Sequence, residues 1–77
     1  MIKVLFFAFL KEAAGRESME VEMSGETLAD LKKKLSQEYR IENLETVMAA
    51  VNEEFAPDDT VLEEGDTVAF IPPVSGG

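Results

Sequence analysis

Residues 2–9 read Ile-Lys-Val-Leu-Phe-Phe-Ala-Phe, an apolar run broken only by Lys3. A short continuous apolar run rich in β-formers is typical of a strand that is covered on both faces. The run therefore predicts a strand in the middle of a sheet, and the other elements are placed around it.

The next segment predicts an antiparallel neighbour for this strand. Met19, Val21 and Met23 alternate with polar residues, a period of two that is typical of a half-buried strand. Between the two strands lies a short polar turn or a single helical turn, residues 11–15, which Gly15 ends because glycine adopts the left-handed backbone conformation at no steric cost. The two strands are therefore predicted to form a hairpin.

A helix is predicted next, beginning after Thr27. Thr27 and Asp30 have the spacing of a capping box, and leucines follow at positions 28, 31 and 35, with Tyr39 as the fourth member of the stripe. The stripe predicts one helix packed on one face of the sheet. The three lysines at positions 32–34 fan around the other side and are predicted to form a solvated outer face.

Three more strands are predicted in the C-terminal half. Residues 47–51 and 54–56 flank an Asn52-Glu53 turn, and residues 67–71 form a last strand that Pro72 ends because it has no N–H to donate. The order β-β-α-β-β-β predicts an α+β roll, with the first and last strands side by side and parallel because the connection between them contains the helix.

Composition excludes several classes of function. The 77 residues form one small domain, and seven Lys and Arg against sixteen Asp and Glu give a net charge of −9. This charge repels nucleic-acid phosphates and anionic lipids, and no apolar run is long enough to span a bilayer, so we expect neither nucleic acid nor a membrane as a partner. The lack of cysteine fits a cytoplasmic location. Without His or Cys the usual hydrolase constellations cannot form, and the acidic residues are predicted to be surface charge rather than a metal site.

The chain ends in Pro72-Pro73-Val74-Ser75-Gly76-Gly77. The two prolines favour an extended stem, so the six residues reach about 18–20 Å. The two glycines have no Cβ and can enter a channel too narrow for other residues. We predict that residues 1–71 form the folded domain and that residues 72–77 form a tail presenting the Gly77 carboxylate. A carboxylate is a poor electrophile, so acyl chemistry at Gly77 requires activation, most simply to an acyl-adenylate with ATP on a separate enzyme.

Several segments together resemble one known family. They are the N-terminal strand, Lys11-Glu12 with Gly15, Ala50-Val51-Asn52, and above all residues 65–77, which read Gly-Asp-Thr-Val-Ala-Phe-Ile-Pro-Pro-Val-Ser-Gly-Gly. Over its whole length the chain resembles the molybdopterin synthase small subunits, the MoaD family of ubiquitin-like sulfur carriers. The resemblance implies a ubiquitin-like β-grasp roll, an α+β fold in which a mixed sheet carries one main helix on one face.

The resemblance also implies a function. In that family the terminal glycine is adenylated by an enzyme of the ubiquitin-activating type, is converted to a thiocarboxylate, and donates its sulfur to cyclic pyranopterin monophosphate in molybdenum cofactor biosynthesis. By resemblance Gly77 carries the sulfur, Gly76 provides clearance, and the partner is contacted by Pro72, Pro73, Val74 and Ser75. The implied partners are the large synthase subunit, in a heterotetramer with two copies of each subunit, the ATP-using adenylating enzyme, and a sulfur donor. The chain itself is then a non-catalytic subunit that binds no cofactor.

Three other hypotheses remain open at this point. A thiamine-type sulfur carrier shares the terminal glycines, and a ubiquitin-like modifier joins its terminal glycine to lysines of target proteins through an isopeptide bond. The third is a domain that acts only by non-covalent binding, for which deletion of Gly76 and Gly77 would leave the function intact. The Pro-Pro-Val-Ser stem and the Phe6-Phe7 pair favour the molybdopterin route over the thiamine route.

Strand parity predicts where a partner binds. The helix covers one face of the first and last strands, and the period of two turns alternate residues to the other face. The residues predicted to lie under the helix are Val4, Phe6, Val68 and Phe70, and those predicted on the opposite face are Leu5, Phe7, Ala69 and Ile71. With Phe55 from a neighbouring strand, Leu5, Phe7 and Ile71 are predicted to form an exposed apolar patch that binds a protein partner. The surrounding acidic residues are expected to steer a basic subunit toward it.

Overall fold

The computed structural model describes residues 1–7, 9–41, 44 and 47–71, with Phe9 as backbone only. Within these residues the chain forms, in order, β1 (Ile2–Phe6), α1 (Phe9–Ala14), β2 (Ser18–Val21), α2 (Leu28–Glu38), β3 (Met48–Val51), β4 (Glu54–Phe55) and β5 (Thr67–Ile71). In this part of the chain no helix is long and apolar enough to cross a membrane.

These five strands form one mixed sheet in the order β2-β1-β5-β3-β4. β1 lies inside the sheet, antiparallel to β2 and parallel to β5, with Val4 beside Val68 and Phe6 beside Phe70. Parallel strands need a crossover connection, and the segment between β1 and β5, which contains α2, provides it. The predicted α+β β-grasp roll, with one main helix and parallel first and last strands, is confirmed.

β1 ends at Phe6 rather than at the predicted Phe9, because the chain turns into α1. Leu10 donates its N–H to the Phe7 carbonyl at 3.1 Å, which begins a helical turn. The turn carries the Leu10 side chain into the core, where it is fully buried. At the other end Gly15 has φ of +75° and donates its N–H to the Lys11 carbonyl, as predicted for the residue that ends this segment. β1 and β2 therefore pair antiparallel as predicted, but α1 connects them.

α2 begins as the sequence predicts. The Asp30 N–H donates to Thr27 Oγ1 and the Thr27 N–H donates to Asp30 Oδ2, each at 3.2 Å, so both halves of the capping box are present. The leucines of the stripe, Leu28, Leu31 and Leu35, are fully buried. The prediction of a fourth core contact at Tyr39 is wrong, because α2 ends at Glu38 and Tyr39, at the C-terminal cap, is 41% exposed.

The core also contains side chains that the sequence did not predict. Ile41 and Leu44 lie in the connection between α2 and β3, for which no element was predicted, yet both are buried, as is Leu62. Arg40 has φ of +55°, which turns the chain back so that Ile41 can pack against the sheet and donate its N–H to the Leu35 carbonyl at 3.4 Å. Single apolar residues in irregular segments have no period to reveal them, so the prediction failed there.

The lysines of α2 differ from one another. Lys33 is exposed, as predicted for the outer face. The side chain of Lys32 is only 12% exposed, and its Nζ lies 2.8 Å from Asp58 Oδ1. A lysine stem can be covered by apolar neighbours while the ammonium group finds a carboxylate, so the prediction of a uniformly solvated face is wrong for Lys32.

Candidate functional site

The sheet buries one set of side chains and exposes the alternate set. Val4, Phe6, Val68 and Phe70 are buried in one core cluster with the leucines of α2. The rings of Phe6 and Phe70 stack with their centroids 6.4 Å apart, which fixes the inward-facing set on both strands. Alternate residues of β1 and β5 consequently point to the side opposite α2, as predicted.

The outward-facing residues line a groove of about 570 Å³ across the sheet. Its apolar residues, called the open face below, are Leu5, Phe7, Ala50, Phe55, Ala69 and Ile71. Phe7 is 47% and Phe55 is 66% exposed, although both are large apolar side chains. The structure thus brings together Leu5, Phe7, Phe55 and Ile71, the four sheet residues predicted to bind a partner. An exposed apolar patch of this kind marks a surface for protein association.

β3 contributes residues that the sequence analysis missed. Ala50 lies between Ala69 of β5 and Phe55 of β4 in the sheet register. Met48 lies opposite Ile71 and is 49% exposed. The period of two along β3 predicts that Met48 and Ala50 point to the same side of the strand. Which face of the sheet this side belongs to is known only once β3 is paired with β5.

A hydrogen-bonded turn positions Phe55. Asn52 and Glu53 have φ of +51° and +71°, the paired positive values of a type I′ hairpin turn, which joins β3 to β4 as predicted. The Asn52 side chain donates to Asp66 Oδ1 at 2.9 Å and accepts the Thr67 N–H at 3.1 Å. The hairpin that carries Phe55 is therefore tied to the first residue of β5.

The two ends of the groove differ in polarity. At the start of β5 the groove is lined by Asn52, Glu53 and Thr67, and Glu54 is exposed close by. At the end of β5 it is lined by Phe7 and Ile71. The groove therefore runs from an acidic end to an apolar end, in a chain whose net charge is −9.

The predicted tail begins at the apolar end of this groove. Ile71 is the last residue of β5 and lines the groove, and the chain continues covalently from it. The tail residues named by the sequence analysis lie outside the described residues, so their roles stay predictions; they are Pro72, Pro73, Val74, Ser75, Gly76 and Gly77.

The described residues include few polar groups with an altered environment. Among them no polar or charged side chain is buried, and no three acidic side chains are arranged to hold a metal ion. Two cations have shifted pKa values: a hydrogen bond to Glu64 raises the pKa of the Met1 amine, and a hydrogen bond to Glu38 raises the pKa of Lys34. Both are exposed surface ion pairs outside the groove lining.

Comparison with known sequences identifies relatives that match over their full length. The ThiS family model matches residues 4–77. A molybdopterin synthase sulfur carrier subunit from Mycobacterium tuberculosis is 42% identical, with 99% of this chain and 96% of the relative covered. The protein of the same name from Escherichia coli is 38% identical, with both chains covered completely.

Solved structures agree with this result. A complex of subunits 1 and 2 of the molybdopterin-converting factor from Helicobacter pylori contains a chain that matches with a TM-score of 0.71 and 28% identity, covering 99% of this chain and 97% of that one. The small archaeal modifier protein 1 from Methanosarcina acetivorans matches with a TM-score of 0.79 and 26% identity, covering 99% and 95%. The chain belongs to the ThiS family, and within it to the molybdopterin synthase sulfur carrier subunits.

Proposed function

We propose that this chain carries sulfur on its C-terminal glycine as the small subunit of a molybdopterin synthase. The observation that supports the proposal most is the full-length match to sulfur carrier subunits of that enzyme, in a chain that ends in Gly76-Gly77. In this proposal ATP adenylates the Gly77 carboxylate with release of pyrophosphate, and sulfur from the donor displaces AMP to give a thiocarboxylate. The sulfur then passes to cyclic pyranopterin monophosphate, and hydrolysis of the acyl group restores the Gly77 carboxylate.

The chemistry of the steps assigns the catalytic side chains to other proteins. The chain has neither His nor Cys, the residues that most often act as general base and nucleophile. A separate adenylating enzyme consumes the ATP, a sulfur donor supplies the sulfur, and the chain itself holds no cofactor. Its own contribution is a slender end, with Gly76 giving clearance and Gly77 the reacting carbon. The cytoplasm is the compartment proposed for these reactions, because a chain without cysteine gains nothing from oxidising conditions.

The large synthase subunit is the proposed partner of the open face. The Helicobacter pylori relative was solved in complex with subunit 2 of its converting factor. In the present chain the exposed Phe7 and Phe55 flank the groove from which the tail begins. A subunit that covers the open face is therefore placed to receive Pro72–Gly77 in its own active site, and two copies of each subunit form the proposed assembly.

Intact mass spectrometry tests the sulfur-carrier step. The chain is incubated with its adenylating enzyme, ATP and a sulfur source, and the expected product has gained the mass of one oxygen-to-sulfur exchange, located at Gly77 by fragmentation. A chain that lacks Gly77 serves as control, and its mass should stay unchanged. An unchanged mass of the full-length chain under conditions in which the enzyme forms the adenylate would contradict the proposal.

Calorimetry with the large subunit tests the docking surface. Phe7→Glu places a charge in the apolar groove and should raise Kd at least about tenfold, because the carboxylate must be desolvated on binding. Tyr39→Glu is the matched control, since Tyr39 is a similarly exposed aromatic residue at the end of α2. Circular dichroism should show both variants folded. Equal affinity of Phe7→Glu and the wild type would show that the open face was assigned wrongly.

A second candidate function is protein modification, because solved modifier proteins share the fold at 25–26% identity with TM-scores of 0.75–0.79. In this case Gly77 forms isopeptide bonds with lysines of other proteins. High-mass conjugates in cell lysates that disappear when Gly77 is deleted would support it. Complementation of strains that lack molybdopterin synthesis or thiamine synthesis distinguishes the two proposed functions from a thiamine-type carrier.

A further inference from the structure

The open face is too small to be the whole interface of a stable complex. Stable protein–protein interfaces bury about 800 Å² on each partner and use about 20–30 residues a side. Nine residues line the groove of the open face, and the six residues of the predicted tail do not bring the number into that range. An interface of standard size with the large subunit would therefore need a neighbouring surface in addition to the open face.

Two borders of the open face are polar and are poor candidates for this extension. On the β2 side, Ser18 lies beside Leu5 and Glu20 lies beside Lys3, and both β2 side chains are exposed. At the start of β5 the border is formed by Asn52 and Asp66, whose side chains are hydrogen-bonded to each other. On the β2 side Leu5 and Phe7 also line a further groove of about 480 Å³, but its other wall is polar and charged, formed by Lys3, Lys11, Glu17 and Ser18.

The border at β4 is apolar and leads into a second groove. This edge groove, of about 360 Å³, is lined by Val47, Met48, Ala49, Phe55, Ala56 and Pro57, with Lys32 and Asp58 at its polar end. Phe55 lines both grooves and therefore forms a ridge between them. The edge groove is thus continuous with the open face through the most exposed of the large apolar side chains that the structure describes.

The polar end of the edge groove is held in place by α2. Lys32 is nearly covered and binds Asp58 through its ammonium group, and the Ala29 N–H donates to the Asp58 carbonyl at 2.9 Å. Leu28 donates its N–H to the Thr60 carbonyl at 2.9 Å. Because the helix fixes this wall before any partner arrives, little ordering entropy is lost when the groove is filled.

The position of Met48 connects the edge groove to the tail. Met48 lies opposite Ile71, the residue after which the tail begins, and it lines the edge groove. A partner that covers Ile71 therefore lies close to Met48 on the β3 side and to Phe7 on the β1 side.

From this arrangement we propose that the large subunit fills the edge groove as well as the open face. In this complex the large subunit places an apolar side chain beside Met48 and contacts Phe55 from both grooves. The inference rests on the proposed function, because it takes the large subunit to be the occupant of the open face.

Methionine oxidation tests the inference without any substitution. Met48 and Met1 are similarly exposed, at 49% and 45%, and lie at opposite ends of the sheet. When the purified complex is treated with dilute peroxide, peptide mass spectrometry should show Met48 oxidised at least about fivefold more slowly than in the free chain, and Met1 at an unchanged rate. Oxidation of Met48 at the same rate in the free chain and in the complex would overturn the inference.

Substitution provides an independent test. Met48→Glu should raise Kd for the large subunit at least about tenfold, while Met48→Leu should leave it within about twofold. Gln37→Glu adds the same charge on the exposed side of α2 and should leave Kd unchanged.

The results separate this inference from the proposed function. If the complex forms, Phe7→Glu weakens it and Met48→Glu does not, the interface ends at the open face and the edge groove is not part of it. If the chain and the large subunit form no complex at all, the proposed function and this inference are both wrong.

Discussion

Asn52 connects three segments of the molecule through one side chain. Its backbone has φ of +51°, a left-handed value that asparagine tolerates better than most residues. Its amide group bonds both Asp66 and the Thr67 backbone, and Asp66 in turn accepts the Glu63 N–H. The β3–β4 turn, the turn before β5 and β5 itself are therefore joined at this residue.

Asn52→Ala should lower the free energy of unfolding by about 1–3 kcal/mol. It removes the hydrogen-bond partner of the Asp66 side chain and of the Thr67 N–H, and it leaves alanine at a positive φ with no side-chain hydrogen bond to offset the strain. Urea denaturation measures the change. Asn52→Gly is the matched control: it removes the same bonds but relieves the backbone, so it should lose less stability than Asn52→Ala. Wild-type stability of both variants would show that the side-chain bonds contribute nothing.

The Met1 amine provides a pH-dependent contact at the opposite end of the sheet from the tail. It pairs with Glu64 and lies 3.6 Å from Glu22, and the hydrogen bond to Glu64 raises its pKa above the ordinary value of 8.0. A group with a raised pKa in the folded state stabilises the fold below its unfolded pKa, and this contribution is lost as the pH rises through the folded pKa.

The thermal midpoint should therefore fall as the pH rises above about 8, and the fall should be smaller in Glu64→Gln, which lacks the carboxylate. Glu63→Gln, a neighbouring change of the same charge, serves as control and should behave as the wild type. Midpoints measured by circular dichroism between pH 7 and pH 10 provide the comparison. Parallel curves for the wild type and Glu64→Gln would rule out a contribution from this ion pair.

At the scale of elements, the helix and the hairpin were predictable for different reasons. α2 was predictable at its start because Thr27 and Asp30 form a capping box from local sequence. The end of α2 was not predictable, because Tyr39 continues the apolar period although the helix ends at Glu38 and the chain turns away at Arg40. The β3–β4 hairpin followed from the Asn52-Glu53 turn, where Glu53 is the less favourable residue because its φ of +71° is a value that glycine adopts more easily.

Glu53→Gly should raise the free energy of unfolding by about 0.5–1 kcal/mol, since relief of the left-handed strain exceeds the entropy that glycine loses on folding. Chemical denaturation of the wild type and the variant measures the difference. Glu54→Gly is the control, because Glu54 lies in β4 rather than in the turn, and it should be destabilising. A loss of stability in Glu53→Gly would show that the turn stores no strain at this position.

At the scale of the whole molecule, charge and apolar surface are separated. The chain carries a net charge of −9, while the open face and the edge groove form a continuous surface with a few acidic residues at its rim. Such an arrangement favours fast encounter with a basic partner through long-range attraction, and tight binding through apolar contact. The same net charge makes copies of the chain repel one another.

The association rate constant with the large subunit should fall about tenfold between low and high salt, because the Debye length shortens from about 30 Å at 0.01 M to about 3 Å at 1 M. The dissociation rate constant should change little. Stopped-flow mixing measures both. The double variant E53Q/E54Q should weaken the salt dependence of the association rate constant. The double variant E26Q/E38Q, which removes the same charge on the helix side, should weaken it less. An association rate that is independent of salt would show that charge does not steer the encounter.

Local sequence alone determined the strand and helix types, the cap of α2, the turn at Asn52 and the parity of β1 and β5. These features depend on periods of two and 3.6 residues and on single-residue backbone preferences, which act over a few positions. The same parity placed Leu5, Phe7 and Ile71 on one face, and the resemblance carried by residues 65–77 indicated the family.

The tertiary structure decided what depends on contacts between distant positions. It showed the burial of Leu10, Ile41 and Leu44, the pairing of Lys32 with Asp58, and the place of Met48 opposite Ile71. None of these has a local signal, because burial of a single apolar residue and the register of β3 on β5 are set by the packing of the complete domain. The register of β3 on β5 places Met48, the first residue of β3, beside Ile71, the last residue of β5.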